Sequence, residues 1–265
     1  MTTAPPVAER DPADLATLYA SIRDKVRSLQ QDPDEPVPDP ATWAIRTDHD
    51  TDAALFEELT FHVFAAGFSR SVVRDKWPAL RAAFVGFEPA RTAALDGADC
   101  ARLAQDRALI RNRRKITGTV DNAQRVLDLA AQHGSFRAWL DSHPRTELYR
   151  LHQDIAKRFA CAGPSASQWF LLTSGFDYYM SSPHTLRLLK RLGLLGQARA
   201  PAVNDVMLRL SAASGENLWR ISADLMRFAS GFMLTEGICV EGIPRCPKCP
   251  LWDHCEAFNQ DTLPA

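Results

Sequence analysis

A chain of 265 residues is long enough to bury one large core or two smaller ones, and 46% apolar with 24% charged residues is typical of a globular protein. No apolar run approaches the roughly 18 residues that a membrane span needs, and the acidic, proline-containing start is unlike a secretory signal. We therefore expect a cytoplasmic protein with no membrane partner. The net charge of −1 excludes a protein that coats nucleic acid by charge alone, but not one whose positive charge lies on one face.

The elements predicted along the chain are helices. Residues 12–31 have helical spacing, with Asp11 as a cap before Pro12, and a proline-rich linker without helical character follows over residues 32–43. Asp50, Thr51 or Asp52 is expected to cap the next helix. No alternating β pattern appears, so we predict an all-α protein with short connections. The further predicted helices span 53–68, 71–85, 89–95, 98–106, 111–132, 135–143, 147–159, 164–174, 183–192, 202–213 and 217–236.

Four of the six cysteines lie close together near the C-terminus, between residues 239 and 255. Their spacing is Cys239-x6-Cys246-x2-Cys249-x5-Cys255. Cysteines of a cytoplasmic protein are not expected to form disulfides, and four thiolates in a compact loop can bind one zinc ion or an iron–sulfur cube. The other two cysteines, Cys100 and Cys161, stand alone and are expected to be small core residues.

This spacing resembles the C-terminal cluster loop of the endonuclease III and MutY-type branch of the helix–hairpin–helix DNA glycosylases. The resemblance implies that the four cysteines bind one [4Fe–4S] cluster, which in that branch is chiefly structural and shapes a DNA-facing loop. Arg245 and Lys248 would then contact DNA. Zinc, or four free thiols, are the alternatives for this site, and a redox-sensing iron–sulfur protein is an alternative for the whole chain.

Upstream segments resemble a second branch, the Tag-type 3-methyladenine DNA glycosylases I. Residues 55–59 and 66–69 are similar to its LFE…AGLSW segment, residues 84–89 to its FxxFDP, and residues 105–116 with 122–123 to its QDxxIIRxRxKIxxxxxNA. The glycine and proline at positions 163 and 164 fit a hairpin whose backbone N–H groups approach a DNA phosphate. Gly163 and Ser165 are therefore expected to bind DNA.

The two resemblances together imply a two-lobed helix–hairpin–helix DNA glycosylase fold with a C-terminal iron–sulfur loop. We expect an N-terminal helix and linker over residues 1–49, whose role the sequence does not indicate. The glycosylase core is expected over 50–195, with its hairpin near 155–175, and the C-terminal helices with the cluster loop over 196–265.

The chain departs from both branches at the residues that carry chemistry. His62 falls where the Tag-type enzymes have a pocket glutamate, and Arg70 falls where they have a tryptophan. Ser182 stands in place of the aspartate that most other branches use, and Ser165 in place of the lysine of bifunctional members, so no AP-lyase activity is expected. An alkylated, cationic purine departs neutral and therefore needs less help from a carboxylate.

Further candidates follow from helical geometry. Glu58 lies four residues before His62 and is expected to orient or charge its imidazole, which would hydrogen-bond or protonate a flipped base. Asp177 is either a displaced catalytic carboxylate or a turn residue, and Ser182 is either a sugar contact or a helix cap. Arg70 and Arg74 are either DNA contacts or solvated surface residues.

The sequence therefore predicts a monomeric, monofunctional DNA glycosylase acting on double-stranded DNA with a modified base. The expected base is an alkylated purine, 3-methyladenine foremost. The alternatives are a glycosylase for another damaged or hypermodified base, and a DNA-binding protein that lost the chemistry together with the aspartate.

Overall fold

A computed structural model describes residues 10–30, 38–45 and 49–260. Over these residues the secondary structure is helical, and the pairing of extended backbone is limited to one isolated bridge between Gln30 and Leu234. The all-α prediction is confirmed. None of the helices in this part of the chain is long and apolar enough to cross a membrane. The helices are α1 Pro12–Leu29, α2 Asp52–Ala65, α3 Arg70–Ala83, α4 Pro89–Ala93, α5 Gly97–Leu103, α6 Arg113–His133, α7 Phe136–Asp141, α8 Leu148–Arg158, α9 Pro164–Thr173, α10 Pro183–Arg191, α11 Ala200–Ser214, α12 Leu218–Ser230 and α13 Glu256–Asn259.

Helix starts agree with the sequence because capping side chains set them. Asp11 accepts a hydrogen bond from the Asp14 N–H at the start of α1, and Thr51 accepts one from the Ala54 N–H at the start of α2. The ends of the helices differ more from their predicted positions than the starts do. The helix predicted to end at residue 236 ends at Ser230, because Gly231 adopts the left-handed conformation that terminates a helix.

The prediction for residues 32–43 needs a correction. Residues 40–43 form a short 3-10 helix, Pro40–Trp43, instead of a linker without helical character. This turn packs against α9, and such packing stabilises a short helical turn that local sequence alone does not specify. Residues 32–37 of the predicted linker lie outside the described residues.

The contacts divide the chain into two compact units. We call residues 1–38 with 177–265 the terminal unit and residues 39–176 the central unit. In the terminal unit α1 packs on α11 and α12, and the buried Tyr19 hydroxyl donates to the Asp224 carboxylate at 2.8 Å. The three-part division drawn from sequence resemblance stays a prediction.

The central unit is built around α2, which packs against α9, α6, α3 and α7. Every residue of α2 from Ala54 to Phe64 is buried, as expected for a helix whose apolar side chains are not confined to one face. Burial includes two carboxylates, a hydroxyl and an imidazole, at Glu57, Glu58, Thr60 and His62. Each of these polar groups needs a partner inside the protein, because an unpaired buried polar group is costly. Their partners define the candidate site.

Candidate active site and cysteine loop

The predicted pair of His62 and Glu58 forms on α2. The Nε2 atom of His62 lies 3.0 Å from Oε1 of Glu58 and 2.9 Å from the hydroxyl of Thr173, at the end of α9. The other carboxylate oxygen of Glu58 accepts the Ile45 backbone N–H at 2.7 Å. Both side chains have no solvent exposure. The site is therefore a closed hydrogen-bonded cluster that joins α2, α9 and the segment before α2.

The charges in this cluster follow from burial and from the hydrogen bonds. Burial opposes the ionisation of Glu58, but the neighbouring His49, His62 and Thr173 side chains outweigh it and lower the pKa of Glu58 to about 2. Burial lowers the pKa of His62, against the opposing effect of Glu58. We infer an ionised carboxylate beside a neutral imidazole. The Nδ1 atom of His62 is buried and has no hydrogen-bond partner among the described residues.

Aromatic rings and guanidinium groups surround the imidazole. The Trp169 ring is nearly parallel to it, at 6.5 Å between centroids, and the Arg70 guanidinium lies 4.1 Å from the centre of the Trp169 indole. Trp43 packs on Trp169 at 5.1 Å, and its carbonyl accepts a hydrogen bond from Arg74 at 2.9 Å. Arg70 and Arg74 thus lie beside the His62 cluster, where their charges also lower the pKa of the imidazole.

The predicted hairpin consists of α8, a five-residue loop over 159–163, and α9. Gly163 precedes Pro164 at the start of α9, and both Gly163 and Ser165 are exposed. The loop is tied to α6, because the Asn122 side chain donates to the carbonyl of Ala160 at 3.0 Å and accepts its N–H at 2.6 Å. The hairpin residues predicted to bind DNA therefore lie on a surface that is fixed against the rest of the central unit.

Arginines lie next to this loop. Two surface depressions lie between the start of α6 and the hairpin, and Arg114 and Cys161 line both. Gly163 lines one of them and Arg113 the other. Both arginines are exposed, and within the described residues neither forms an ion pair. Their neighbour Lys115 is instead buried and donates to the carbonyls of Phe64 and Ala66.

Ser182 and Asp177 belong to the terminal unit and serve there as helix caps. The Ser182 hydroxyl accepts the Thr185 N–H at 3.1 Å at the start of α10. The Asp177 carboxylate accepts the Leu218 N–H at 2.9 Å, at the start of α12. Capping is one of the two roles that the sequence left open for Ser182. The contact of Asp177 with the start of α12 is neither of its two predicted roles, a displaced catalytic carboxylate or a turn residue.

The four cysteines of the loop line one cavity in the terminal unit, together with Arg191, Leu192, Phe228 and Trp252. Arg191 donates to Cys239 Sγ at 3.4 Å and to the Val240 carbonyl at 2.8 Å. Within the described residues no group of three or more histidine, cysteine, aspartate or glutamate side chains could hold a metal ion. Four cysteine sulfurs that line one cavity are the donors that both a zinc ion and an iron–sulfur cluster take.

The two basic residues of this loop form ion pairs with one carboxylate. Lys248 Nζ lies 2.8 Å from Oε1 of Glu236, and Arg245 Nε lies 3.1 Å from Oε2. Both basic side chains remain about half exposed. Their predicted contact with DNA would therefore compete with an internal partner.

Sequence reasoning missed Trp43, Ile45 and Thr173, which complete the surroundings of His62. Thr173 is 111 positions from His62, and no local pattern indicates such a contact. Trp169 is only partly buried, and the Arg70 guanidinium lies over its ring. In the sequence, only the arginine at position 70, where the Tag-type motif has a tryptophan, indicated that the aromatic packing beside His62 differs.

Comparison with known proteins supports the sequence resemblance in the central unit. A family model described as methyladenine glycosylase matches residues 40–168. The DNA-3-methyladenine glycosylase 1 of Escherichia coli (strain K12) is 37% identical over 75 residues, which are 28% of this chain and 40% of that protein. The chain thus spans 40% of the length of the curated relative that it matches. Both the family model and the candidate pair lie upstream of the cysteine loop.

One solved structure extends the likeness in fold to nearly the whole chain. A trapped endonuclease III–DNA covalent intermediate aligns over 96% of this chain and 99% of that chain, with 16% identity and a TM-score of 0.51. The 3-methyladenine DNA glycosylase I (TAG) from Staphylococcus aureus aligns over 63% of this chain and 87% of that chain, with 22% identity and a TM-score of 0.44. The predicted resemblance is confirmed: the chain has the all-α helix–hairpin–helix DNA glycosylase fold and resembles the methyladenine glycosylases over residues 40–168.

Proposed function

We propose that this chain is a monofunctional DNA glycosylase that excises a modified base, with an alkylated purine such as 3-methyladenine as the leading substrate. One observation carries the proposal. The buried pair of His62 and Glu58 lies inside the region matched by the methyladenine glycosylase family, and His62 falls where the Tag-type sequence motif has its pocket glutamate. The E. coli relative matched in part is named a DNA-3-methyladenine glycosylase.

Excision of an alkylated purine needs little catalytic assistance from this site. Breaking an N-glycosidic bond builds positive charge on the sugar, but a cationic alkylated purine leaves as a neutral base. Glu58 would orient His62 through Nε2, and the free Nδ1 atom is the one available to an N–H group of the base. Because Nδ1 is buried, a flipped base reaches it only after neighbouring side chains have moved.

We also propose that the enzyme lacks AP-lyase activity. A lyase needs an amine that forms a Schiff base with the abasic sugar. Ser165 occupies the position where bifunctional relatives have that lysine, and it offers only a hydroxyl group at the exposed start of α9.

The proposal is tested by incubating the purified protein with methylated duplex DNA and separating the released bases by chromatography. Release of 3-methyladenine is the expected result. Release of a different modified base would support the alternative of a changed substrate. Tight duplex binding without release of any base, from methylated or otherwise damaged DNA, would favour a DNA-binding protein and contradict the proposal.

Duplex DNA is the proposed partner, and the arginines beside the hairpin give a measurable prediction. Arg113→Ala and Arg114→Ala are each expected to lower the slope of log affinity against log salt concentration by about 1, because each removes a phosphate contact. Arg125→Ala is the matched control, because Arg125 lies on the same helix but pairs with Asp128. Equal slopes for all three variants and the unaltered protein would contradict a DNA contact at this surface.

We further propose that Cys239, Cys246, Cys249 and Cys255 bind one [4Fe–4S] cluster. Their spacing and their common cavity support it. When bound, such a cluster would act as a cross-link that holds the loop. Iron and acid-labile sulfide in equal amounts, with visible charge-transfer absorption, are expected in protein purified without oxygen. Zinc in their place, or no metal, would contradict this assignment.

A further inference from the structure

Arg10 is a charged residue that is almost fully buried, with 6% of its surface exposed. It lies just before α1, in the N-terminal segment for which the sequence indicates no role. Its Nη2 atom donates to the Leu192 carbonyl at 2.9 Å and to the His254 carbonyl at 3.2 Å. Arg209 fixes the backbone of Arg10 by donating to its carbonyl at 2.9 Å.

The two carbonyls held by Arg10 flank one cysteine of the loop. His254 immediately precedes Cys255 in the chain. Leu192 follows Arg191, whose backbone carbonyl is 3.4 Å from Cys255 Sγ. A single guanidinium group therefore joins the end of α10 to the backbone just before Cys255. This bridge fixes where the last of the four thiols is presented to the cavity.

Charge gives the bridge a second consequence. Four thiolates leave an assembled iron–sulfur cluster with net negative charge, and hydrogen bonds and nearby charge set its reduction potential. Arg191 already contacts Cys239 on one side of the cavity. Arg10 places another cation on the side of Cys255. It does so by binding the Leu192 carbonyl, which lies 182 positions further along the chain.

We propose that Arg10 is a positioning residue of the cluster site, which holds Cys255 in place and supplies positive charge near the thiolates. The N-terminal segment is then part of the metal site, although it lies more than two hundred residues upstream of the cysteines. This inference rests on the proposed [4Fe–4S] cluster.

The test uses full-length protein purified without oxygen, as the unaltered chain and as Arg10→Gln, Arg10→Lys and Arg23→Gln. Arg23 is the control, since it lies on α1 and pairs with Glu216. The decay of visible absorption in the presence of a chelator measures cluster loss, and voltammetry measures the reduction potential.

Arg10→Gln is expected to lose its cluster on the order of tenfold faster, because two charge-assisted hydrogen bonds are removed, and to shift the potential to more negative values. Arg10→Lys keeps the charge and is expected to retain the potential while losing the cluster faster than the unaltered protein. Arg23→Gln is expected to match the unaltered protein in both measurements.

Two results would overturn the inference. One is an Arg10→Gln protein with unaltered cluster loss and potential. The other is a loss of thermal stability that is equal in the metal-free and loaded proteins, with an unchanged potential, which would reduce Arg10 to a packing role. If the unaltered protein, purified without oxygen, contained no cluster, the cluster assignment itself would be refuted. A failed base-release assay would bear neither on the cluster nor on the role of Arg10.

Discussion

His62→Gln is expected to lower the rate of base release on the order of a hundredfold, as for the loss of one catalytic hydrogen-bonding group. Glutamine can still donate through Nε2 to Glu58 and Thr173, so the buried carboxylate keeps a partner. It lacks the second ring nitrogen and the imidazole face that lies against Trp169. Single-turnover release of base from methylated duplex DNA measures the loss, and duplex affinity is expected to stay unchanged.

The matched control is Ser182→Ala, which removes the hydroxyl found at the position of the missing aspartate. Because Ser182 caps α10, its loss is expected to cost about 1 kcal/mol of stability and to leave base release intact. If His62→Gln released base at the unaltered rate, His62 would have no part in the mechanism. If Ser182→Ala alone abolished release, the catalytic group would lie in the terminal unit.

Glu58→Gln is expected to remove much of the acid sensitivity of the protein. The pKa of Glu58 is lowered from 4.5 to about 2 in the folded chain, so its contribution is present above about pH 4.5 and is lost as the pH falls toward 2. The shift corresponds to about 3 kcal/mol at neutral pH. Denaturant unfolding between pH 7 and pH 2.5 measures this as a steep loss of stability that the variant lacks.

Replacing a surface carboxylate controls for the general effect of removing one negative charge. Glu147 is partly exposed and pairs only with Arg150 among the described residues, so Glu147→Gln is expected to change stability by less than about 1 kcal/mol at any pH. An acid-unfolding profile of Glu58→Gln that overlays the unaltered profile would show that Glu58 is not ionised in the folded protein.

Much of the helical framework follows from local sequence. Asp11, Thr51 and Ser182 cap helices where the sequence predicts helix starts, because a capping side chain satisfies backbone N–H groups only two or three residues away. Helix ends were less predictable. The short turn Pro40–Trp43 was missed because its stability comes from packing on α9, which lies more than a hundred residues further along the chain.

The candidate site also combines contacts that the local sequence predicts with contacts that it does not. The pairing of Glu58 with His62 could be predicted because residues four apart share one helix face. Thr173 and Ile45 complete the cluster through tertiary contacts, and Arg10 reaches the cysteine loop from the other end of the chain. Nothing in the local pattern around these residues indicates those partners, since only the folded backbone brings them together.

The most direct test of the central claim uses a duplex of defined sequence that carries methylated purines, incubated with excess protein under single-turnover conditions. We predict abasic sites that appear as strand breaks only after alkali treatment, because base excision leaves the backbone intact when no lyase amine is present. Duplex that is bound but acquires no abasic sites would contradict the account of this chain as a DNA glycosylase acting on alkylated bases.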